Sequence, residues 1–320
     1  MKERIAVIDL GTNTFHLFIV ELDGTELTTL YKEKIAVKIG KNGISKGKIA
    51  ADAFKRAIHT LRIFRTVIDL FEVTNVRGVA TSAIRNAKNG QELIDEIKNK
   101  TDIEIDVISG NKEAELIFEG VKVAMEMPDS PQLVMDIGGG SVEFIIGEGN
   151  TIHWRHSFEI GAQRLLDKFH QADPIPEENV ESLFDFLKME LNPLVEAIQE
   201  FNPTGLIGCS GTFDTLKEIY LKRERLASTA ESKIFDLPAV HYEQIHQELM
   251  LKNREQRLQI PGMVTLRVDM IVVASCLIHF VLGKIRPQSI TACSYALKEG
   301  LLFSSLSPEM KAINGQESPE

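Results

Sequence analysis

Two stretches, Val7-Ile-Asp-Leu-Gly-Thr-Asn-Thr14 and Val134-Met-Asp-Ile-Gly-Gly-Gly-Ser141, repeat one pattern at an offset of 127 residues, with Asp9 over Asp136 and Gly11 over Gly138. In each copy an apolar strand ends in Asp-x-Gly, and small residues make a tight turn. A second strand then leaves it: Phe15-His-Leu-Phe-Ile-Val20 in one copy, Val142-Glu-Phe-Ile-Ile146 in the other. Strand, tight turn and strand form a β-hairpin signature. Its occurrence twice predicts two similar lobes.

The segments around each hairpin predict an α/β protein. After the first come a strand over 27–37 and a long helix behind Ser45, with apolar residues at Phe54, Ala57, Ile58, Leu61, Phe64, Ile68 and Phe71. A strand over 76–80, a short helix over 91–98, a strand over 103–108 and a helix over 110–126 complete the half. Pro128 and Pro131 punctuate the chain. The second half predicts a strand over 152–156, helices near 161–170 and 177–200, a strand over 206–209, and then helices to about 303. The domain reading is a first lobe over 1–127, a second over 128–306, and a polar, flexible tail over 307–320. Two lobes joined near Pro128 leave a cleft, with the Asp-x-Gly turns across it, and ligands favour such interfaces.

The 320 residues carry 36 Lys and Arg against 46 Asp and Glu, a net charge of −10. That charge argues against non-specific binding to nucleic acid or to an anionic membrane, both of which rest on clustered cations. With 43% apolar residues the chain reads as folded and globular. Cys209, Cys276 and Cys293 are odd in number and never in a CxxC, so no disulfide framework or zinc site is expected, and a reducing compartment is. The N-terminus enters a strand rather than a signal peptide. The longest apolar run, Met270 to Leu282, is too short to span a bilayer. The expectation is a cytoplasmic protein.

Four segments carry candidate chemistry. The side chains of Thr12, Asn13 and Thr14, with the backbone N–H groups that small residues bring close, can ring a phosphate. A plain hairpin turn accounts for the same residues, and the second copy favours phosphate. In Asp136-Ile-Gly-Gly-Gly-Ser141-Val-Glu143, folding back at the glycines brings two carboxylates near one cavity. Such a pair suits Mg²⁺, which takes one or two carboxylates with phosphate oxygens and keeps several waters. His16 occupies the position of Glu143 in the first copy, so metal is expected on the second lobe. Ser210, Gly211 and Thr212 end a strand and open a helix, which serves equally as an anion site or as an N-cap. Glu113 and Glu115 suit the first turn of a helix, and by residue pattern alone that reading precedes a general base. Arg85 can clamp a phosphate bidentately. Arg164, Arg267 and Lys298 read as solvated charges first and phosphate partners second, while Asp269 and His279 read as the polar edge of an apolar helix.

In order and spacing these segments, with Ala80-Thr-Ser-Ala-Ile-Arg85, Val107-Ile-Ser-Gly110 and Ala296-Leu-Lys-Glu-Gly-Leu-Leu302, resemble the exopolyphosphatase and guanosine pentaphosphate phosphatase (Ppx/GppA) family over nearly the whole chain. The resemblance implies an actin-like ATPase, ribonuclease H-like fold of two duplicated lobes. It implies hydrolysis of the terminal phosphoanhydride of inorganic polyphosphate, or of the 5′ γ-phosphate of guanosine pentaphosphate, with Mg²⁺, and a homodimer. Carried onto these residues, it makes Glu113 the catalytic glutamate and Asp136 and Glu143 the metal residues. Asp9, Gly11, Thr12, Asn13, Thr14, Arg85, Gly138, Gly139, Gly140, Ser141, Ser210, Gly211 and Thr212 become the phosphate site. The family often reads Gly-x-Glu-Glu-Ala-Arg around the glutamate, whereas here Lys112 replaces the first Glu and Glu115 the Arg. The sequence also stops short of the helical C-terminal region of longer members, which implies a preference for short polyphosphate. Two rivals are an ATP-using kinase or ATPase of the same fold, and a non-catalytic polyphosphate or alarmone sensor.

Overall fold

The computed structural model describes residues 2–24, 26–227, 232–287 and 289–306. The tail expected over 307–320 lies outside them. The described residues form two compact units, one of residues up to 123 together with 297–306, the other within residues 124–296.

In the first unit β1 (Lys2–Leu10), β2 (Phe15–Asp23) and β3 (Glu26–Ile35) make an antiparallel meander. After α1 (Ala51–Leu70), β4 (Asn75–Ala80) pairs parallel with β1. Two further helices, α2 (Ser82–Arg85) and α3 (Gly90–Thr101), lead to β5 (Asp106–Val107), and α4 (Gly110–Ala124) follows. The sheet order is β3-β2-β1-β4-β5. The strand expected over 103–108 keeps only two laddered residues, while Ile103 and Ile105 turn into the core.

The second unit repeats the plan. An antiparallel meander of β6 (Gln132–Ile137), β7 (Val142–Glu148) and β8 (Thr151–Phe158) precedes α5 (Ala162–Phe169), α6 (Glu177–Glu190) and α7 (Asn192–Phe201). The single helix expected over 177–200 is broken at Leu191, because Pro193 opens α7. Then come β9 (Gly205–Cys209), α8 (Ser210–Arg223), β10 (Ile234–Pro238), α9 (Ala239–Leu251), α10 (Arg254–Leu258), α11 (Ile271–Ile285) and β11 (Ser289–Cys293). The sheet order is β10-β11-β9-β6-β7-β8. The sequence reading, which expected only helices after β9, lacks β10 and β11. Each has five residues, and β10 contains Asp236 and Pro238, which read as a turn.

Matching β6-β7-β8-β9-β11 to β1-β2-β3-β4-β5 superimposes antiparallel on antiparallel and parallel on parallel. The register pair Asp9–His16 falls on Asp136–Glu143. This duplicated mixed sheet is the actin-like, ribonuclease H-like α/β fold. The apolar strand β1 is buried on both faces: Ala6, Ile8 and Leu10 pack with α1 and α3, and Ile5 and Val7 point the other way. The last described helix, α12 (Leu297–Ser304), lies with the first unit. There Leu302 and, just past it, Leu306 join Ile5, Val7, Phe18 and Val20. The run 297–306, assigned from sequence to the second lobe, therefore completes the first, because that apolar sheet face needs a cover. In the second unit α11 is a core helix with nine buried residues, which accounts for the apolar run from Met270. Among the described residues no helix is long and apolar enough to cross a membrane.

Candidate active site

The turn after β1 closes with the Gly11 N–H donating to the Thr14 carbonyl at 3.1 Å. A Cβ on Gly11 would lie 3.0 Å from that oxygen, and one on Gly138 would lie 2.9 Å from the Ser141 carbonyl, so both turns exclude a side chain at the same place. The carbonyls of both turns are occupied. Thr12 accepts from the Gly40 N–H (3.1 Å) and Asn13 from Lys38 (2.9 Å). Gly138, Gly139 and Gly140 accept from the N–H groups of Ala162 (2.9 Å), Gln163 (2.9 Å) and Gly161 (3.1 Å) where α5 begins. In a trans peptide the C=O of one residue and the N–H of the next point oppositely. The amides of Gly139, Gly140 and Ser141 therefore turn away from α5, and those of Asn13 and Thr14 away from 38–40. Each turn presents a row of donors of the kind that holds phosphate. Arg164 belongs to this support: its Nε donates to the Gly140 carbonyl at 2.8 Å and its Nη2 pairs with Glu159 at 3.1 Å.

Asp136 and Glu143 are register partners on β6 and β7, so their side chains share one face of the sheet. Both are buried, at 6% and 1% exposure. The Ser157 hydroxyl, opposite Glu143 on β8, donates to Glu143 Oε1 at 2.7 Å, and the Ser210 hydroxyl donates to Asp136 Oδ1. Ser210 reaches it from a left-handed backbone (φ 72°) between β9 and α8, a conformation costly for a residue with a Cβ. Among the described residues no cluster of three or more His, Cys, Asp and Glu is arranged to hold a metal. Two buried carboxylates on one face nevertheless require positive charge nearby, and an all-oxygen pair suits a hard, partly hydrated cation such as Mg²⁺.

Arg267 supplies part of that charge. Sequence reasoning placed it among solvated charges, but it is buried, and its guanidinium lies against Gly211, where a Cβ would come within 2.5 Å of Nη2. Burial lowers its pKa, and the carboxylates of Asp214 and Asp136 work in the opposite direction. Nothing local in the sequence distinguishes this arginine from a surface one. Cys209, the register partner of Asp136 on β9, is no nucleophile: the adjoining Cys293 thiol and burial push its pKa well up.

In the first unit Glu113 sits in the first turn of α4, its N–H bonded to the Ser109 carbonyl at 2.9 Å. Its carboxylate is buried and accepts from Arg85 Nη1 at 2.9 Å, and the same nitrogen donates to the Ile108 carbonyl at 3.1 Å. A plain dipole-complementing glutamate would face solvent; this one is held by a partly buried arginine. Lys112 and Glu115 pair with each other at 3.2 Å. Asp9 and His16 occupy the equivalent of the Asp136–Glu143 pair, where Thr14 Oγ1 lies 2.9 Å from His16 Nε2. Lys298 pairs with Glu299 at 2.9 Å, and Asp269 with Arg254 at 2.8 Å.

The fold defines a protein of the actin-like class. The family model of the Ppx/GppA phosphatase family matches residues 18–309, and the chain belongs to that family. It is similar to the structure of an exopolyphosphatase from Cytophaga hutchinsonii ATCC 33406, with 46% identity, a TM-score of 0.91, and coverage of 94% of this chain and 97% of that one. The Aquifex aeolicus Ppx/GppA enzyme is 24% identical with a TM-score of 0.78, covering 95% and 100% of the two chains, which supports the fold. A guanosine-5'-triphosphate,3'-diphosphate pyrophosphatase of Photobacterium profundum is 28% identical over 304 residues; that match takes in 94% of this chain and spans 59% of the relative.

Proposed function

We propose that the protein is an exopolyphosphatase, hydrolysing the terminal phosphoanhydride of inorganic polyphosphate and releasing orthophosphate. The observation that carries the chemistry is the buried Asp136–Glu143 pair beside a turn whose amides Gly139, Gly140 and Ser141 are oriented by α5. The 46% identity to an exopolyphosphatase over nearly both whole chains supports the substrate.

In this reading the amides of both turns and the hydroxyls of Thr12, Thr14, Ser141 and Thr212 bind phosphate oxygens, and Arg267 adds a cation beside Gly211. Asp136 and Glu143 hold Mg²⁺, oriented by Ser210 and Ser157. Mg²⁺ supplies charge neutralisation at the phosphate oxygens. Glu113, its carboxylate fixed by Arg85, accepts a proton from water as the water oxygen bonds to the terminal phosphorus. The bridging P–O bond breaks and its electrons leave with the shortened chain. Phosphoryl transfer needs little covalent help from protein, so positioning and charge carry most of the rate. Three free, buried cysteines support residence in a reducing compartment, and a homodimer is part of the same reading, checked by the mass in solution.

The test is phosphate release with Mg²⁺ from medium-chain polyphosphate, guanosine pentaphosphate and ATP, with Glu113→Gln as control. Release chiefly from polyphosphate that disappears in the variant supports the proposal. Preference for guanosine pentaphosphate moves the protein to the activity in the name of its Photobacterium relative. Preference for ATP, or binding without release, overturns the proposal in favour of an ATPase or a sensor.

A further inference from the structure

Arg257 is among the largest fully buried side chains of the molecule, at 1% exposure. It lies on α10, whose start is fixed by a reciprocal capping box between Asn253 and Gln256. Its Nη1 donates to Asp173 Oδ1 at 2.8 Å and to the Lys252 carbonyl at 2.5 Å, and its Nε donates to the Val268 carbonyl at 3.2 Å. Asp173 is itself held by the Arg254 backbone N–H at 2.5 Å and faces His170 Nε2 at 3.1 Å. Arg257 is enclosed while Asp173 stays partly exposed, at 32% of its side chain, and an arginine so enclosed, tied at once to a carboxylate and to two carbonyls, holds those groups in one arrangement. The conformation imposed here is that of the loop between α10 and α11. Val268 directly follows Arg267, the arginine seated on Gly211. The same loop is pinned further back at Gly262 (φ 92°), where a Cβ would come within 2.5 Å of the Glu218 backbone in α8. Arg267 thus leaves a segment fixed on one side to α8 and on the other to Arg257.

We propose that Arg257 and Asp173 are positioning residues for Arg267, fixing the Val268 carbonyl so that the Arg267 guanidinium stays over the Gly211 turn for a substrate phosphate. The inference rests on the phosphate-binding reading given above, and does not involve Glu113. Loss of the Arg257–Asp173 contact loosens the grip on phosphate while leaving proton transfer alone, which raises KM and spares kcat.

The test combines kinetics with chemical labelling. Asp173→Asn and Arg257→Met are each expected to raise KM for polyphosphate roughly tenfold with kcat within about twofold. Arg257→Met combined with Arg267→Met is expected to be no worse than Arg267→Met alone; additive losses overturn the inference. Phenylglyoxal labelling of Arg267, read by peptide mass, needs no turnover, and it is expected to quicken severalfold in Asp173→Asn and Arg257→Met. Unchanged labelling also overturns the inference. If Arg257→Met fails to fold, Asp173→Asn and Arg257→Lys decide, the latter keeping the charge but not the fork that reaches both Asp173 and Val268. A wild type that releases no phosphate from polyphosphate sinks the exopolyphosphatase reading, and the labelling then decides the positioning role by itself.

Discussion

Asp136 and Glu143 stand opposite each other on β6 and β7, both buried, in the place that Asp9 and His16 hold on β1 and β2. The repeated hairpin supplies the same frame twice, and only the second copy carries a carboxylate pair in it. Two like charges on one face of the sheet repel each other, and a bound cation relieves that repulsion. Glu143→Gln is therefore expected to raise the thermal midpoint measured without divalent ions and to abolish the further rise with Mg²⁺. Ser157→Ala, which removes the hydroxyl orienting Glu143, is expected to weaken Mg²⁺ binding by roughly 10–100-fold. Thermal shift against Mg²⁺ concentration checks both.

The Arg85–Glu113 pair separates chemistry from folding. Glu113→Gln keeps the shape and the hydrogen bond from Arg85, so its stability should match the wild type while kcat falls by roughly 10²–10⁴. Arg85→Ala leaves the buried Glu113 carboxylate without its cation and should cost about 3–5 kcal/mol of stability. Combining the two substitutions should recover part of that loss. Urea unfolding of the four proteins reads the coupling, and stability losses that simply add would show the pair to be independent.

The hairpins, their glycines and the paired Asp-x-Gly turns were legible because they are local: chain neighbours impose them, and the repeat marks them twice. Ser157, Arg267 and the Arg257–Asp173 pair were not, since each meets its partner through sheet register or loop packing across 14 to 84 residues. The short strands β10 and β11 escaped for a similar reason. Five residues carry too little periodicity, and their place beside β9 is set by tertiary pairing. Glu113 was read first as a dipole-complementing residue because its burial depends on Arg85, 28 positions away.

Gly138 is a local feature that can be tested directly. Its absent Cβ would sit 2.9 Å from the Ser141 carbonyl, a backbone atom that cannot move without shifting the donor row. Gly138→Ala is expected to cost about 1–3 kcal/mol and to reduce phosphate release sharply. At Gly283, on α11, a Cβ meets nothing within 4 Å. Gly283→Ala should therefore be neutral or stabilising by up to about 1 kcal/mol. Equal effects of the two substitutions, measured as unfolding free energy and kcat side by side, would rule out a special role for the Gly138 turn.

A pH dependence follows from the contact between α9 and α11. His246 stacks on His279 with centroids 4.6 Å apart, and its Nδ1 lies 2.9 Å from the Ser275 hydroxyl, which donates to the Val272 carbonyl. That leaves the Ser275 oxygen to accept from a neutral His246. Tyr242 donates to the Ser275 carbonyl, and Glu243 lies 3.1 Å from His279 Nδ1. Burial first, and the neighbouring His279 second, push His246 down to about 4, against the pull of Glu243. Above pH 6.5 the imidazole is neutral whether folded or not, and the native state keeps its full stability. As pH falls from 6.5 toward 4, the unfolded chain takes up a proton that the folded one refuses, so stability declines, by about 3 kcal/mol in all. Between pH 7.5 and 5 the wild type should lose about 2 kcal/mol more than His246→Gln in urea unfolding. Equal slopes would assign the dependence elsewhere, to His170 first, whose pKa burial also lowers.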